Sequence, residues 1–189
     1  EDFPRRIFAV SELDVARQLT IGVRARRTEQ VTGIEEKKGK SGRLVFVTVG
    51  ARIETRAGPA MREKQIFVYR EAGSPVSQSR RKEFFPCDWS LETAADRALL
   101  FRFSALTFNS HRIHYDRDYA VSQEGYPGLV VHGPLVAIFM AELVGRNLPG
   151  RVVNFGYRQH APLFEGDAIR IIGSRQDDGD LELKALNEI

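Results

Sequence analysis

At 189 residues, the chain is long enough for one large domain or two small ones. Its composition of 42% apolar and 28% charged residues is that of ordinary globular proteins, which excludes disordered and fibrous classes. Its net charge of +3 is uneven, since residues 1–100 carry +5 and residues 101–189 carry −2. The basic residues are scattered along strand-like stretches, so we predict no nucleic-acid partner.

The sequence also predicts the compartment. The longest apolar stretch, Leu135–Ala141, is far shorter than the roughly 20 residues that span a bilayer, so no membrane partner is predicted. The sequence does not show the charged start and following apolar core of a secretory signal, so secretion is not predicted. The single cysteine, Cys87, excludes an internal disulfide and suits a reducing compartment. We therefore expect a cytoplasmic protein, or one of the mitochondrial matrix in a eukaryote.

Residues 1–71 predict an antiparallel meander of about four strands. The segments 43–49 and 65–70 are rich in β-branched and aromatic residues, and turn signals occur at 39–42 and 57–59. No helix in this region is long enough to cover the sheet, and a sheet with one bare apolar face is an incomplete domain.

The middle of the chain changes character. Residues 72–96 begin as a polar, turn-rich and aperiodic stretch, and we predict a linker there. Farther on, the pattern predicts a strand over Leu99–Leu106 and a short helix over Asp118–Gln123.

The last third predicts one helix followed by three strands. Leu135–Val144 is apolar on nearly every side, which is typical of a buried helix, and Pro134 suits its first turn. Strands are predicted over 152–157, 168–173 and 181–186. This order favours an α+β unit in which a sheet wraps around one helix.

The segment 103–116, FSALTFNSHRIHYD, carries a dense group of polar side chains. A turn after a strand would allow Asn109, His111 and His114 to converge on one water or substrate atom. The alternative is a polar loop whose side chains bind local backbone groups. The density favours a functional site.

The start of the helix supplies a second candidate. The first backbone N–H groups of a helix have no partner within it, and the helix dipole favours negative charge there. A glycine lets a ligand approach closely. The N–H of Gly133 is therefore a candidate donor to an oxyanion.

These motifs resemble those of MaoC-like enoyl-CoA hydratases and dehydratases, whose motif is Asp-x-Asn-Pro-Leu-His. Asn109 occupies the position of the family's aspartate, His111 that of its asparagine and His114 that of its catalytic histidine. The segment 131–133, Val-His-Gly, matches the family's helix start, and 161–167 resembles its Pro-Leu-Phe-x-Gly-Asp turn.

The full 103–116 string is similar to the branch with two hot-dog units, which includes mesaconyl-CoA, itaconyl-CoA and 3-methylfumaryl-CoA hydratases. The resemblance implies an α+β double hot-dog fold whose N-terminal unit, residues 1–71, is incomplete and non-catalytic. Residues 97–189 would then be the catalytic hot-dog domain. It also implies reversible hydration of a short branched or dicarboxylic enoyl-CoA, and a homodimer or pseudo-dimer.

The resemblance implies a role for each site residue. His114 is expected to be the principal acid and base, while Asn109, which cannot exchange a proton, orients water or substrate. His111, or alternatively Asp116, would be a second proton-transfer group. Four further residues are expected to bind or position the substrate. Gly133 would be the oxyanion donor, and His132 would orient the helix start. Arg112 would pair with a substrate carboxylate or form only a surface ion pair, and Tyr126 would line the acyl tunnel or anchor its loop.

Two other functions compete with hydration. A hot-dog acyl-CoA thioesterase would use the same helix start, but such enzymes usually need an acidic residue near it, and residues 126–140 offer none. A non-catalytic acyl-binding module would suit Asn109 in place of a carboxylate. No metal-ligand spacing or phosphate-binding glycine loop is recognisable, so we expect no metal and no cofactor, with coenzyme A entering as part of the substrate.

Overall fold

The computed structural model of the chain describes residue 3 and residues 5–39, 42–71 and 85–187. The chain divides into two compact units, Glu1–Ser74 with Gly150–His160, and Pro75–Pro149 with Ala161–Ile189. Within the described residues the strands are β1 (Arg5–Val15), β2 (Ala25–Gly39), β3 (Gly42–Thr55), β4 (Gly58–Arg70), β5 (Trp89–Ala94), β6 (Asn154–Arg158), β7 (Ala168–Arg175) and β8 (Leu181–Asn187). The helices of the same ranges are α1 (Arg97–Thr107), α2 (Arg117–Ser122) and α3 (Gly133–Asn147), with a 3-10 turn at Arg112–His114.

The first unit is an antiparallel sheet with the strand order β2-β3-β4-β1-β6. The strands predicted in residues 1–71 are confirmed, and the turn before β4 places Gly58 at a φ of +106°, which favours glycine. The order is not a simple meander, because β1 pairs with β4. Phe8 of β1 contacts the rings of both Phe67 and Tyr157, at centroid distances of 5.4 and 5.7 Å, so aromatic packing crosses three neighbouring strands.

The second unit places α3 against the antiparallel sheet β5-β7-β8. The strands predicted over 168–173 and 181–186 are confirmed as β7 and β8, and the helix predicted over 118–123 as α2. The strand predicted over 152–157 is β6, which lies in the sheet of the first unit. The core of the second unit consists of Ala95, Leu100, Ile113, Ala120, Tyr126, Leu129, Val130, Val131, Leu135, Leu143, Ile169 and Ile171.

The linker predicted over 72–96 needs a correction in its second half. Residues 72–84 lie outside the described residues, but Trp89–Ala94 form β5 and pair with β7. Along β5 half-buried and exposed positions alternate, and Trp89 and Leu91 pack against the core. Alternation with a period of two is typical of a strand, and the polar, turn-rich residues before it obscure this signal in the sequence. The assignment of 97–189 to a separate catalytic domain stays a prediction.

The strand predicted over Leu99–Leu106 is wrong, because this segment lies within helix α1. The carboxylate of Asp96 caps the helix by accepting the N–H of Leu99 at 2.7 Å. Leu100 and Ser104, four residues apart, form its buried face. A short apolar run suits a strand and a buried helix equally, and the cap at Asp96 decides between them.

Helix α3 begins at Gly133 with Pro134 in its first turn, as predicted. The expectation that it is buried on nearly every side is wrong for the described structure. Leu135 and Leu143 are buried, whereas Ile138 is 53% exposed. The apolar composition of α3 therefore predicts more burial than the structure shows, because the three-stranded sheet of its own unit covers one face of the helix.

Replacing Gly173 by Ala should destabilise the second unit. A Cβ on Gly173, in β7, would lie 2.9 Å from Cδ2 of Leu183 and 3.4 Å from Cδ2 of Leu143. Both atoms end flexible side chains, so we expect a moderate loss of about 1–2 kcal/mol in the free energy of unfolding. Urea unfolding of Gly173→Ala measures it, with Gly145→Ala, where nothing lies within 4 Å of the new Cβ, as the control. Equal midpoints for the two variants would contradict the prediction.

Candidate active site

The site begins where α1 ends. Phe108 adopts a left-handed conformation at a φ of 53° and closes the helix, and the next N–H, that of Asn109, donates to the carbonyl of Ser104 at 2.9 Å. The side-chain oxygen of Asn109 accepts the backbone N–H of His111 at 3.1 Å. Asn109 therefore shapes the turn that carries the first of the clustered histidines.

His114 lies at the end of the 3-10 turn and is 8% exposed. Its Nδ1 is 2.7 Å from the carbonyl oxygen of Val130. A carbonyl only accepts, so Nδ1 carries a proton, and in the neutral ring the lone pair lies on Nε2. The N–H of Val130 donates in turn to the carbonyl of Ile113 at 2.9 Å. Backbone bonds thus fix both the turn and the imidazole, a suitable arrangement for a general base.

His132 of the segment 131–133 contacts a histidine of the segment 103–116. Its ring is completely buried and stacks on that of His114, with centroids 3.8 Å apart and planes 17° from parallel. The ring of His111 contacts His114 edge-on at 5.7 Å. The structure therefore gathers all three imidazoles, although His132 follows His114 by 18 residues in the sequence.

Burial sets the charge of His132. Desolvation, with smaller contributions from His114 and His111, lowers the pKa of His132 from 6.5 to about 3. Its Nε2 lies 2.9 Å from Oγ of Ser104, while its Nδ1 is buried and has no hydrogen-bond partner among the described residues. His132 is therefore an uncharged imidazole whose Nδ1 is available to form a hydrogen bond with a ligand.

The start of α3 supplies a backbone donor beside these rings. His132 is the residue that precedes the helix, and its carbonyl accepts the N–H groups of Leu135 and Val136 at 3.0 and 3.1 Å. Within the described part of the chain, no hydrogen bond uses the N–H of Gly133. This N–H, at the positive end of the helix dipole, can stabilise a developing negative charge.

Arg112 and Tyr126 have structural partners. The guanidinium of Arg112 binds the carboxylate of Asp116 at 2.7 Å and covers the ring of Tyr119 at 4.2 Å. The backbone N–H of Tyr119 and then Arg112 lower the pKa of Asp116 below its usual range. Tyr126 is buried, and its ring lies 6.1 Å from that of Phe164. These contacts suit the ion-pair and loop-anchor alternatives, and substrate contacts of both residues stay predictions.

Sequence reasoning missed Ser104. It lies 28 residues before its partner His132 and within a segment for which the pattern predicts a strand. Its buried position four residues after Leu100 on α1 is the signal that a helical interpretation would have used.

Among the described residues no group of three or more His, Cys, Asp and Glu side chains is arranged to hold a metal ion. In the same part of the chain, every helix is too short or too polar to cross a membrane.

The architecture is that of the hot-dog proteins, with antiparallel sheets and a central helix. A MaoC-like dehydratase from Phytophthora capsici matches over 97% of this chain and 66% of its own, with a TM-score of 0.74 at 15% identity. HtdX from Mycobacterium tuberculosis matches over 96% and 71%, with a TM-score of 0.75 at 15% identity. Another protein of that organism with a double hot-dog fold matches over 100% and 71%, with a TM-score of 0.61 at 15% identity. The α+β double hot-dog fold is thereby confirmed.

The chain belongs to the family of hydroxyacyl-thioester dehydratases type 2, whose model matches residues 1–165. It is 45% identical over 178 residues to a mesaconyl-C(4)-CoA hydratase from Chloroflexus aurantiacus, which covers 93% of this chain and 64% of that protein. It is 40% identical over 76 residues to a mitochondrial hydroxyacyl-thioester dehydratase type 2 from Schizosaccharomyces pombe, over 39% of this chain and 25% of that protein. The chain thus spans less than two thirds of the length of these relatives. The resemblance to MaoC-like dehydratases is confirmed.

Proposed function

We propose that this protein catalyses the reversible addition of water to the double bond of an enoyl-CoA thioester. Three kinds of observation support the proposal: the family, the 45% identity to a mesaconyl-C(4)-CoA hydratase, and the geometry of the site. The observation that carries it is the buried pair of stacked imidazoles, His114 and His132, next to the free end of a helix. His114 supplies the base, and His132 and the helix start supply donors to an oxyanion. Hydration of a thioester needs both.

The thioester carbonyl would bind at the start of α3. As water attacks the β-carbon, negative charge develops on the carbonyl oxygen, and the N–H of Gly133 stabilises it. A proton on Nδ1 of His132 would give a second donor, since a buried donor without a partner carries an energetic cost that a ligand oxygen would remove. Both donors would act most strongly on the enolate-like transition state.

His114 would move the protons. Nε2 takes a proton from water while the hydroxide oxygen forms its bond to the β-carbon, and the electrons of the double bond move to the thioester oxygen. The protonated His114 then returns this proton to the α-carbon, either directly or through His111, which gives up one proton as it takes one from His114, and the addition is complete. Nothing is oxidised or reduced, and dehydration is the same path in reverse. Asn109 and His111 would hold the water, because their turn lies directly before His114.

The substrate would be a short branched or dicarboxylic acyl-CoA, such as mesaconyl-, itaconyl- or methylfumaryl-CoA. This choice follows the relative from Chloroflexus aurantiacus and the resemblance of segment 103–116. Arg112 would bind the second carboxylate only by releasing Asp116, which holds it at 2.7 Å. A substrate carboxylate would then replace Asp116 in the same planar, charge-assisted pair.

One assay tests the proposal. The chain is incubated with mesaconyl-, itaconyl- and crotonyl-CoA, and the loss of the conjugated double bond is followed separately from the release of free thiol. Loss of the double bond without thiol is the expected result. Release of thiol would overturn the proposal in favour of a thioesterase, and bound thioester that stays intact would favour an acyl-binding module.

The assembly and the compartment are part of the same proposal. We expect a homodimer or a pseudo-dimeric double hot-dog unit, located in the cytoplasm or in the mitochondrial matrix of a eukaryote. Light scattering on the purified chain distinguishes one copy from two.

A further inference from the structure

We infer that Ser104 is a positioning residue of this site: its hydroxyl fixes the tautomer and the ring plane of His132, and through the ring stack the plane of His114. The inference rests on the proposed function where it concerns catalysis. The hydrogen bond and the tautomer that it sets are properties of the protein itself.

Ser104 connects both halves of the site. It is buried on the inner face of α1, and its Oγ lies 2.9 Å from Nε2 of His132. Its carbonyl oxygen accepts the N–H of Asn109 at 2.9 Å. Ser104 therefore holds the turn before His111 through its carbonyl oxygen, and the ring of His132 through its hydroxyl.

The hydroxyl of Ser104 acts as the donor in this bond. If Nε2 of His132 were the donor, the Ser104 O–H would lack an acceptor among the described residues, and the buried lone pair on Nδ1 would lack a partner as well. With Oγ–H donating to Nε2, one group stays unsatisfied, the N–H at Nδ1. Because every buried unsatisfied group costs free energy, the second arrangement is preferred.

The stack transmits this order to His114. The two rings are 3.8 Å apart and nearly parallel, and Phe103 packs edge-on against the His132 ring at a centroid distance of 4.8 Å. The ring of His132 is thus in contact with Phe103 and His114 and is bonded at one nitrogen to Ser104. Without the Ser104 bond the His132 ring can tilt, and the surface on which His114 rests moves with it.

The tautomer is measured first, in the wild-type chain. Long-range ¹H–¹⁵N correlation spectra should show His132 protonated at Nδ1 and bare at Nε2, and His114 likewise protonated at Nδ1. In Ser104→Ala the His132 signals should lose this preference. A wild-type His132 protonated at Nε2, or an unchanged spectrum in Ser104→Ala, would overturn the inference whether or not the chain is a hydratase.

Kinetics test the catalytic part. Loss of one buried hydrogen bond that supports the base should lower kcat by about tenfold, with a smaller change in KM, because the bond orients the reacting group rather than the coenzyme. Ser104→Cys, similar in size but a weaker donor, should give an intermediate kcat. Ser11→Ala removes another buried serine hydroxyl, one that donates to Glu63, and should keep the wild-type kcat.

The two failures are distinguishable. An inactive wild-type chain with the expected His132 tautomer would refute the proposed function and leave the positioning bond in place. An active wild-type chain with unchanged kcat in a folded Ser104→Ala or Ser104→Cys variant would refute the positioning role alone. If Ser104→Ala unfolds, Ser104→Cys and the wild-type spectrum decide.

Discussion

Replacing His114 by Ala should lower kcat for hydration of the accepted thioester by roughly 100- to 10,000-fold, the usual contribution of a positioned acid or base. The bond from Nδ1 to Val130 orients the ring of His114, which stacks on His132, and leaves the basic lone pair on Nε2. Since binding of the coenzyme would not depend on this atom, KM should change far less than kcat. Initial rates of double-bond loss at pH 7.5 measure both constants.

Two variants guard this prediction against a loss of structure. His114→Gln keeps a polar side chain of similar reach without a basic nitrogen, so it should be as inactive as His114→Ala. His160→Ala removes an exposed histidine of the first unit and should retain wild-type kcat. A His114→Ala chain with full hydratase activity and a normal unfolding transition would refute the assignment of the base.

The sequence predicted most strands because their signals are local. β3, β4, β7 and β8 combine β-branched residues with turn residues at their ends, and each needs few distant partners to be recognised. Helix α1 was missed because the run Leu99–Leu106 suits two structures, and the deciding cap at Asp96 lies outside it. The place of β6 beside β1 also escaped prediction, since Asn154 lies 140 residues from its partner Asp14.

The same distinction applies to the site. His111 and His114 could be proposed because they share one short segment, and Gly133 because a helix start has a known chemistry. The stack of His132 on His114 depends on how α3 and the 3-10 turn pack, which no spacing encodes. The contact of Ser104 with His132 also depends on packing, and in addition the sequence pattern predicts the wrong secondary structure for the segment that contains Ser104.

Acid should destabilise the protein through His132. Its pKa is about 3 in the folded protein, whereas the ordinary value of 6.5 applies to the unfolded chain. Between these pH values the unfolded state binds a proton that the folded state does not, so stability rises with pH and falls as the pH is lowered. One proton gives a slope of up to about 1.4 kcal/mol per pH unit below pH 6.5, and no further loss below pH 3.

A variant without the titrating ring isolates this contribution from that of carboxylates. His132→Gln keeps a side-chain oxygen that can accept the Ser104 hydroxyl but cannot take up a proton in this range. At pH 7 the wild type should be the more stable chain, and its advantage over His132→Gln should shrink by about 1.6 kcal/mol between pH 6.5 and pH 5. Urea unfolding of both chains at several pH values measures this difference. Parallel stability curves would show that His132 titrates equally in the folded and unfolded states, and the buried neutral imidazole on which the proposed site depends would have to be abandoned.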